Sequence, residues 1–332
     1  MDFDLSGIAG KKILITGGSG FLGSNLARRL IALGADVTLF LRVGNDHKNI
    51  LGIENKVKII EGNLTNESDI LEAAIGKDYI FHLAWQNDLK KSMQNPKEDL
   101  MVDVLGILNL LETCRKINPN VKIIFTSTPT VIGYTEKLIK DEDTRENPMS
   151  IYEANKLIAE KYLQIYYKNY KINFCILRLS NVFGEFQRID NPSRGVLNFM
   201  IGRALRGEPL TVHGTGEFIR DYSYVQNYID AFIIAAISEK TEGEVFNLGT
   251  GEGRTFNEVV EKIKKIVGAT TGKIVNITHV PFPGGENEIN KRNEIANVSK
   301  FIRITGWLPK ISFDEGLEKT IKFYIDKKVS LT

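Results

Sequence analysis

The sequence predicts an α/β protein: a doubly wound parallel sheet with a smaller mixed α/β lobe toward the C-terminus. Three observations carry this. Short apolar runs alternate with longer helical patterns through the first half of the chain, as a parallel sheet covered by helices on both faces requires. The first of these runs, Ile13-Leu14-Ile15-Thr16, passes through a turn with glycines at 17, 20 and 23 directly into a helical pattern. Beyond about residue 179 the elements shorten and the loops lengthen, which marks a change of architecture.

Taken in order, strand-like runs fall at 12–16, 36–41, 57–60, 78–83, 121–126 and 173–178. Helical patterns fill the gaps near 20–33, 66–75, 98–117 and 150–170. In the second half, Asn191 to Gly195 opens a helix that runs to Arg206-Gly207. A brief strand at 210–213 follows, then a helix from Val225 to Ile237 and a strand at Val245 to Leu248. The remainder mixes helices with Pro/Gly-rich loops around Pro281 to Gly285. These shifts divide the chain into a dinucleotide-binding domain, 1–178 with about 222–250, and a substrate lobe, 179–221 with 251–332.

The glycine turn has a physical purpose. Gly17 allows the tight turn, Gly20 lets the backbone approach a pyrophosphate, and Gly23 lets helix and strand pack closely. The helix that starts at Phe21 and Leu22 offers its free N–H groups and the positive end of its dipole to the anion. This is the Rossmann-type arrangement, and its ligand crevice lies at the carboxyl ends of the strands.

Composition narrows the classes. The chain has 332 residues, 42% hydrophobic and 25% charged, as ordinary globular proteins do. A net charge of +2 gives no reason to expect nucleic acid. No apolar run approaches the roughly 20 residues of a membrane span. The start, Met1-Asp2-Phe3-Asp4, is acidic where a signal peptide is basic. Cys114 and Cys175 sit in a helical and a strand-like pattern and read as small buried hydrophobes. With four dispersed histidines they give no metal-ligand spacing. The expectation is a cytoplasmic enzyme with no metal.

Chemistry-bearing residues gather at two places. Tyr152 and Lys156 lie four apart near a helix start, so phenol and ammonium share one face. A lysine beside a tyrosine lowers the phenol pKa and makes tyrosinate available as a general base. Thr126-Ser127-Thr128 lies at the carboxyl end of the fifth strand, where Thr128 can offer its hydroxyl to the same reacting oxygen. Alternatively these hydroxyls only cap the loop by bonding backbone.

Together these pieces resemble the extended short-chain dehydrogenase/reductases, in their nucleotide-sugar epimerase/dehydratase branch. The resemblance rests on the glycines at 17–23, on Thr126 to Gly133, and on the Tyr152/Lys156 pair. It extends to Phe81-His82-Leu83-Ala84, Asp141 to Thr144, Arg178 to Gly184, Arg220 to Val225 and Phe246 to Gly249. It implies that Tyr152 takes a hydroxyl proton from a sugar while hydride passes to a nicotinamide. Lys156 then holds the cofactor ribose and Thr128 bonds the sugar oxygen. Gly17, Gly20, Phe21, Leu22, Asn63, Leu64, Leu83 and Ala84 are the candidates along the cofactor. Asn181 and Arg220 would hold the substrate diphosphate, where a guanidinium fork suits phosphate oxygens. Gln86 and Asn198 are further substrate candidates. His82 packs or hydrogen-bonds at a strand end rather than catalysing.

The departures from the pattern are informative. At the end of the second strand, Leu41-Arg42 stands where NAD users carry an acid, and an arginine there can accept a 2′-phosphate. NAD and NADP both stay open. Asn63 replaces the usual aspartate near adenine, and Asp103 stands where asparagine is common. Pro129-Thr130 replaces the Asp-Glu of dehydratases, and Thr130 also replaces the glutamate that the decarboxylases keep. The C-terminal arginine that grips the nucleotide near Pro283 to Glu286 is not evident, with Lys291 and Arg292 as substitutes.

Two enzyme readings follow. An epimerase oxidises a sugar carbon, most simply C4, and returns hydride to the other face. A ketoreductase uses the same residues once and consumes NADPH, which Arg42 favours. A nucleotide-binding scaffold does not need Thr128, Tyr152 and Lys156 together. Leu108, Leu111, Ile158, Tyr162, Ile165 and Tyr166 give two helices broad apolar faces, and the resemblance implies that these pair two subunits in a homodimer. Alternatively the faces are only core.

Overall fold

The computed structural model describes residues 3–282, 289 and 292–327. Strand β1 (Lys12–Thr16) leads through the glycine turn into helix α1 (Phe21–Ala32), followed by β2 (Asp36–Leu41) and β3 (Lys58–Glu61). Helix α2 (Glu67–Ala74) and β4 (Tyr79–His82) come next, then the short helices α3 (Leu89–Gln94) and α4 (Pro96–Asp99). After them run α5 (Leu105–Ile117), β5 (Lys122–Ser127), β6 (Ile139–Lys140), α6 (Ile151–Tyr170), β7 (Asn173–Leu179) and β8 (Asn181–Phe183). The second half contributes α7 (Val196–Arg206), β9 (Leu210–His213), β10 (Ile219–Arg220), β11 (Tyr222–Tyr224), α8 (Val225–Ile237) and β12 (Glu244–Leu248).

Seven strands form one sheet in the order β12-β7-β5-β4-β1-β2-β3, and every neighbouring pair is parallel. The period of two in a strand sends alternate side chains to opposite faces. Ile13 and Ile15 accordingly enter the core shared with α1 and α8, while Leu14 enters the core shared with α2, α5 and α6. The expected doubly wound sheet is present, and the strand order turns back between β1 and β4. That turning point places the glycine turn and the ends of β4 and β5 around one crevice. Both cysteines are free and buried in these cores.

One expected element differs. The helical pattern over 98–117 is interrupted by a π turn, Leu100–Val104, between α4 and α5. The Leu105 N–H reaches five residues back to the Leu100 carbonyl, which widens the helix for one turn. The period of apolar residues does not reveal such a shift.

The expected pairing faces divide. Leu111 and Tyr166 are core residues of this chain, while Ile158 and Ile165 are exposed on α6. Met101 and Val102 of the π turn are exposed as well. Beyond the main sheet, β8 and β11 pair in parallel with Asn181 opposite Tyr222, which brings Asn181 beside the Arg220-Asp221 corner. No described helix is long and apolar enough to cross a membrane.

Candidate active site

The glycine turn is shaped as a cradle. Gly17 has φ +72°, and a Cβ there would lie 2.9 Å from the Ala84 backbone. A Cβ on Gly23 would stand 2.3 Å from the Gly17 carbonyl oxygen, so only glycine lets α1 start this close to β1. Gly20 caps α1 without a side chain, which leaves the first-turn N–H groups with no side-chain acceptor. A helix N-terminus left open in this way fits a dinucleotide pyrophosphate.

The remaining cofactor candidates ring this turn. Leu83 and Ala84 leave β4 against Gly17, tied by Leu83 N–H to the Thr16 carbonyl at 3.2 Å and by Ala84 N–H to Thr16 Oγ1 at 3.2 Å. Arg42 is exposed at the end of β2, and Asn45 of the same loop donates to Ser19 Oγ at 3.1 Å. Asn63 accepts from Thr65 N–H with Oδ1 at 3.0 Å, and Leu64 packs on Gly106 of α5.

Thr128 follows β5 and is 8% exposed. Its Oγ1 accepts from Thr130 N–H at 3.2 Å and shares a hydrogen bond with Thr130 Oγ1 at 2.9 Å. The hydroxyl therefore braces its own loop, as the capping alternative expects. Tyr152 lies in the first turn of α6, whose start is fixed by Ser150 Oγ accepting from Glu153 N–H at 3.2 Å. Lys156 is buried one turn on and donates to the Thr126 carbonyl at 2.6 Å. Its Nζ stands 3.8 Å from the centre of the Trp85 ring and 4.7 Å from that of Phe125.

The electrostatics correct one expectation. Burial pushes the Tyr152 phenol up, and Asp103, Glu153 and Asp99 push it further, so in the protein alone Lys156 does not bring it down. Burial lowers Lys156 to about 7, against the opposing pull of Asp103 and Glu160. His82 is pushed down to about 3 by burial and then by Lys156, so it is neutral at pH 7. Its Nδ1 lies 3.0 Å from Thr16 Oγ1, a strand-end hydrogen bond.

The sequence singles out Asp103 near the pair but passes over Asp99, Asn155 and Glu160. Asp99 and Asp103, Asn155 and Trp85 form a wall beside Lys156. Behind it, Glu160 accepts from Ser127 Oγ at 2.5 Å and from Arg178 at 2.7 and 3.0 Å. Tyr152, Lys156 and Glu160 are spaced by four, so one stripe of α6 held the signal. Arg292 is buried and donates to Glu153 Oε1 at 2.7 Å, which ties the C-terminal segment to the start of α6. Its partner on offer as a nucleotide grip, Lys291, lies outside the described residues, as does the segment from Pro283 to Glu286.

The substrate candidates separate into two groups. Asn181 donates from Nδ2 to the Asp221 carbonyl at 3.1 Å. Arg220 stands on β10 over Phe218, and among the described residues Glu294 and Arg292 act on its charge. These two are therefore neighbours. Gln86 spends its amide inside the protein, donating to the Asp88 carbonyl and Asp99 and accepting from Asp88 N–H. Asn198 is fully buried, and its amide is taken by both backbone groups of Gly184. The structure thus brings neither Gln86 nor Asn198 forward with an uncommitted amide.

The family model described as the NAD dependent epimerase/dehydratase family matches residues 13–249. The chain belongs to this family. Among relatives of this epimerase/dehydratase chain is a putative UDP-glucose 4-epimerase of Methanocaldococcus jannaschii. It is 31% identical over 314 residues, covering 94% of this chain and 97% of the relative. A UDP-N-acetyl-alpha-D-glucosaminuronate decarboxylase of Bacillus cytotoxicus is 30% identical, covering 95% of this chain and 98% of the relative. The structure of the UDP-glucose 4-epimerase of Thermus thermophilus in complex with NAD superposes with a TM-score of 0.83. It is 29% identical, covering 95% of this chain and 99% of that one. The matched span, residues 13–249, includes the glycine turn, Thr128, Tyr152 and Lys156. Among the described residues, no group of three or more His, Cys, Asp or Glu is arranged to hold a metal ion.

Proposed function

We propose that the protein is a nucleotide-sugar epimerase that inverts a sugar carbon, most simply C4 of a UDP-hexose. The observation that carries this is the loop after β5. Thr128 is followed by Pro129 and Thr130, which supply neither the acid nor the base that expelling a hydroxyl or steering a decarboxylation would call for. What remains beside the dinucleotide cradle is a hydroxyl, a phenol and an ammonium, enough for reversible oxidation of an alcohol.

Bound NAD or NADP supplies a positively charged ring that accepts hydride and, once reduced, gives it back. The cradle of Gly17, Gly20 and Gly23 and the N-terminus of α1 would hold its pyrophosphate, with Leu83 and Ala84 alongside and Arg42, Asn63 and Leu64 toward the adenosine end. Tyr152 takes the proton from the C4 hydroxyl and returns it to the same oxygen once the sugar has presented its other face, so the protein gains and loses nothing in a turnover. Thr128 exchanges its bond to Thr130 for one to the sugar oxygen. Lys156 lends its charge to the Tyr152 oxygen and hydrogen-bonds the ribose. Trp85 and Phe125 keep water from the ammonium, and low dielectric strengthens each of these interactions. Arg220 and Asn181 hold the diphosphate as charge-assisted and neutral donors. The exposed Ile158, Ile165, Met101 and Val102 are the surface through which two copies would pair.

NADPH-dependent reduction of a 4-keto sugar is the second reading, and it rests on Arg42 at the end of β2. Identifying the nucleotide released by denaturing the purified protein separates the two. Near-stoichiometric NAD supports the epimerase. A protein that is empty and then binds NADPH far better than NADH overturns it in favour of the reductase.

A further inference from the structure

Helix α4, the π turn and α6 pack together and set two carboxylates against the helix of Tyr152 and Lys156. Asp99 and Asp103 are both 3% exposed, yet they are provided for differently. Asp99 is satisfied: Oδ1 accepts from Gln86 Nε2 at 2.8 Å and Oδ2 from Asn155 Nδ2 at 2.9 Å. Asp103 accepts on Oδ1 from the Gln86 backbone N–H at 3.0 Å, while its Oδ2 is buried with no hydrogen-bond partner among the described residues. A carboxylate kept from water with one oxygen unfilled is stable only with a cation close by.

Lys156 is the cation whose charge most favours that carboxylate, though the two form no direct ion pair. Gln86 ties Asp103 to the residue next to Trp85, whose ring lies against the ammonium, and Asn155 ties Asp99 to the residue next to Lys156 itself. The Thr126 carbonyl is the one hydrogen-bond acceptor that Lys156 has among the described residues. We propose that Asp103 is a positioning residue that acts through Lys156, its carboxylate being the buried counter-ion that keeps the ammonium charged. This rests on the reading of Tyr152 and Lys156 given above, and asparagine, common at this place in the family the sequence resembles, could not do it.

The charges around the pair are few. Asp103 faces Lys156, Asp99 and Lys91. Lys156 faces Asp103 and Glu160, and His82 behind it is neutral. Tyr152 faces Asp103, Glu153 and Asp99. Glu160 is already committed to Arg178 and Ser127, so Asp103 is the counter-ion with an oxygen to spare. Burial draws Asp103 up to about 7 and Lys156 down to about 7, and each favours the charged form of the other. Removing the carboxylate leaves burial of Lys156 largely unopposed, and the amine then loses its proton at lower pH.

The first test needs no substrate. Lysine labelled with 13C at Cε is titrated by NMR in the purified protein, with the Lys156 signal assigned as the one missing from Lys156→Met. In Asp103→Asn its midpoint falls by about 1 unit or more, the usual effect of losing a nearby opposite charge. Asp103→Ser gives the same shift and serves if the asparagine variant does not fold. An unchanged midpoint overturns the proposal. In the second test, the pH profile of kcat with a UDP-hexose loses its alkaline limb at lower pH in Asp103→Asn, with KM little changed. A loss of kcat equal at every pH contradicts the role. If Lys156 shifts as expected while no UDP-hexose reacts, the counter-ion stands and the proposed function falls.

Discussion

At the scale of the residue, the account depends on Tyr152 as the group that takes and returns a proton. Burial and three carboxylates raise its pKa in the protein alone. In the proposed role, its ionisation would have to be favoured by the Lys156 ammonium and the charge of a bound nicotinamide. Tyr152→Phe removes the acceptor and lowers kcat by about 100-fold or more, with the substrate Kd by calorimetry nearly unchanged. Full turnover in that variant removes the role. The sequence nominates Thr128, Tyr152 and Lys156 because each sits in a short motif. The direction of the Tyr152 shift is not written there, since burial comes first and, besides the neighbouring Glu153, Asp103 and Asp99 lie far from Tyr152 along the chain. Asn198 and Gln86 show the same limit from the other side. An amide in the right stretch cannot be told from one already spent on Gly184 or on Asp88 and Asp99 until the loops are folded.

At the scale of the element, α6 carries the chemistry on one stripe and anchors it to the sheet through Glu160. That carboxylate is buried with Arg178, and the pair crosses from α6 to β7. Glu160→Gln leaves the buried Arg178 guanidinium with only the partly exposed Glu146, at 3.2 Å, as its anion among the described residues. A loss of about 3–5 kcal/mol is expected for breaking such a pair from one side, read as a lower urea midpoint at unchanged m-value. A loss below about 0.5 kcal/mol, the size of a surface pair, contradicts the anchoring role. Strand and helix existence followed from period and punctuation, and β1, β2, β9 and α8 begin and end where the sequence puts them. The π turn at Leu100–Val104 was hidden because widening a helix by one residue leaves its apolar pattern nearly intact. Its consequence is chemical, since it carries Asp103, whose charge bears on Lys156.

At the scale of the whole molecule, the sheet buries His82 between two cores and keeps it neutral, with its pKa near 3 against 6.5 when exposed. The unfolded chain therefore binds a proton below pH 6.5 that the native state refuses. This contribution is complete above pH 6.5 and is lost as pH falls toward 3. It amounts to about 2 kcal/mol between pH 7 and 5. Urea midpoints fall over that range less steeply in His82→Gln than in the native protein, and parallel slopes contradict the assignment. The alternation of strands and helices and the glycine turn made the architecture readable from the chain alone, because each is a local signal, whereas the strand order is not. The long loops of the second half carry no local signal, so the sequence names no sugar.

The measurement that bears most directly on the central claim is the fate of C4. Purified protein is incubated with UDP-glucose, UDP-galactose and their N-acetylamino counterparts without added cofactor, and the sugar protons are followed by NMR. Inversion at C4 that reaches one common mixture from either member of a pair is the predicted result. Sugars that stay unchanged, or that react only when NADPH is added and consumed one for one, contradict it.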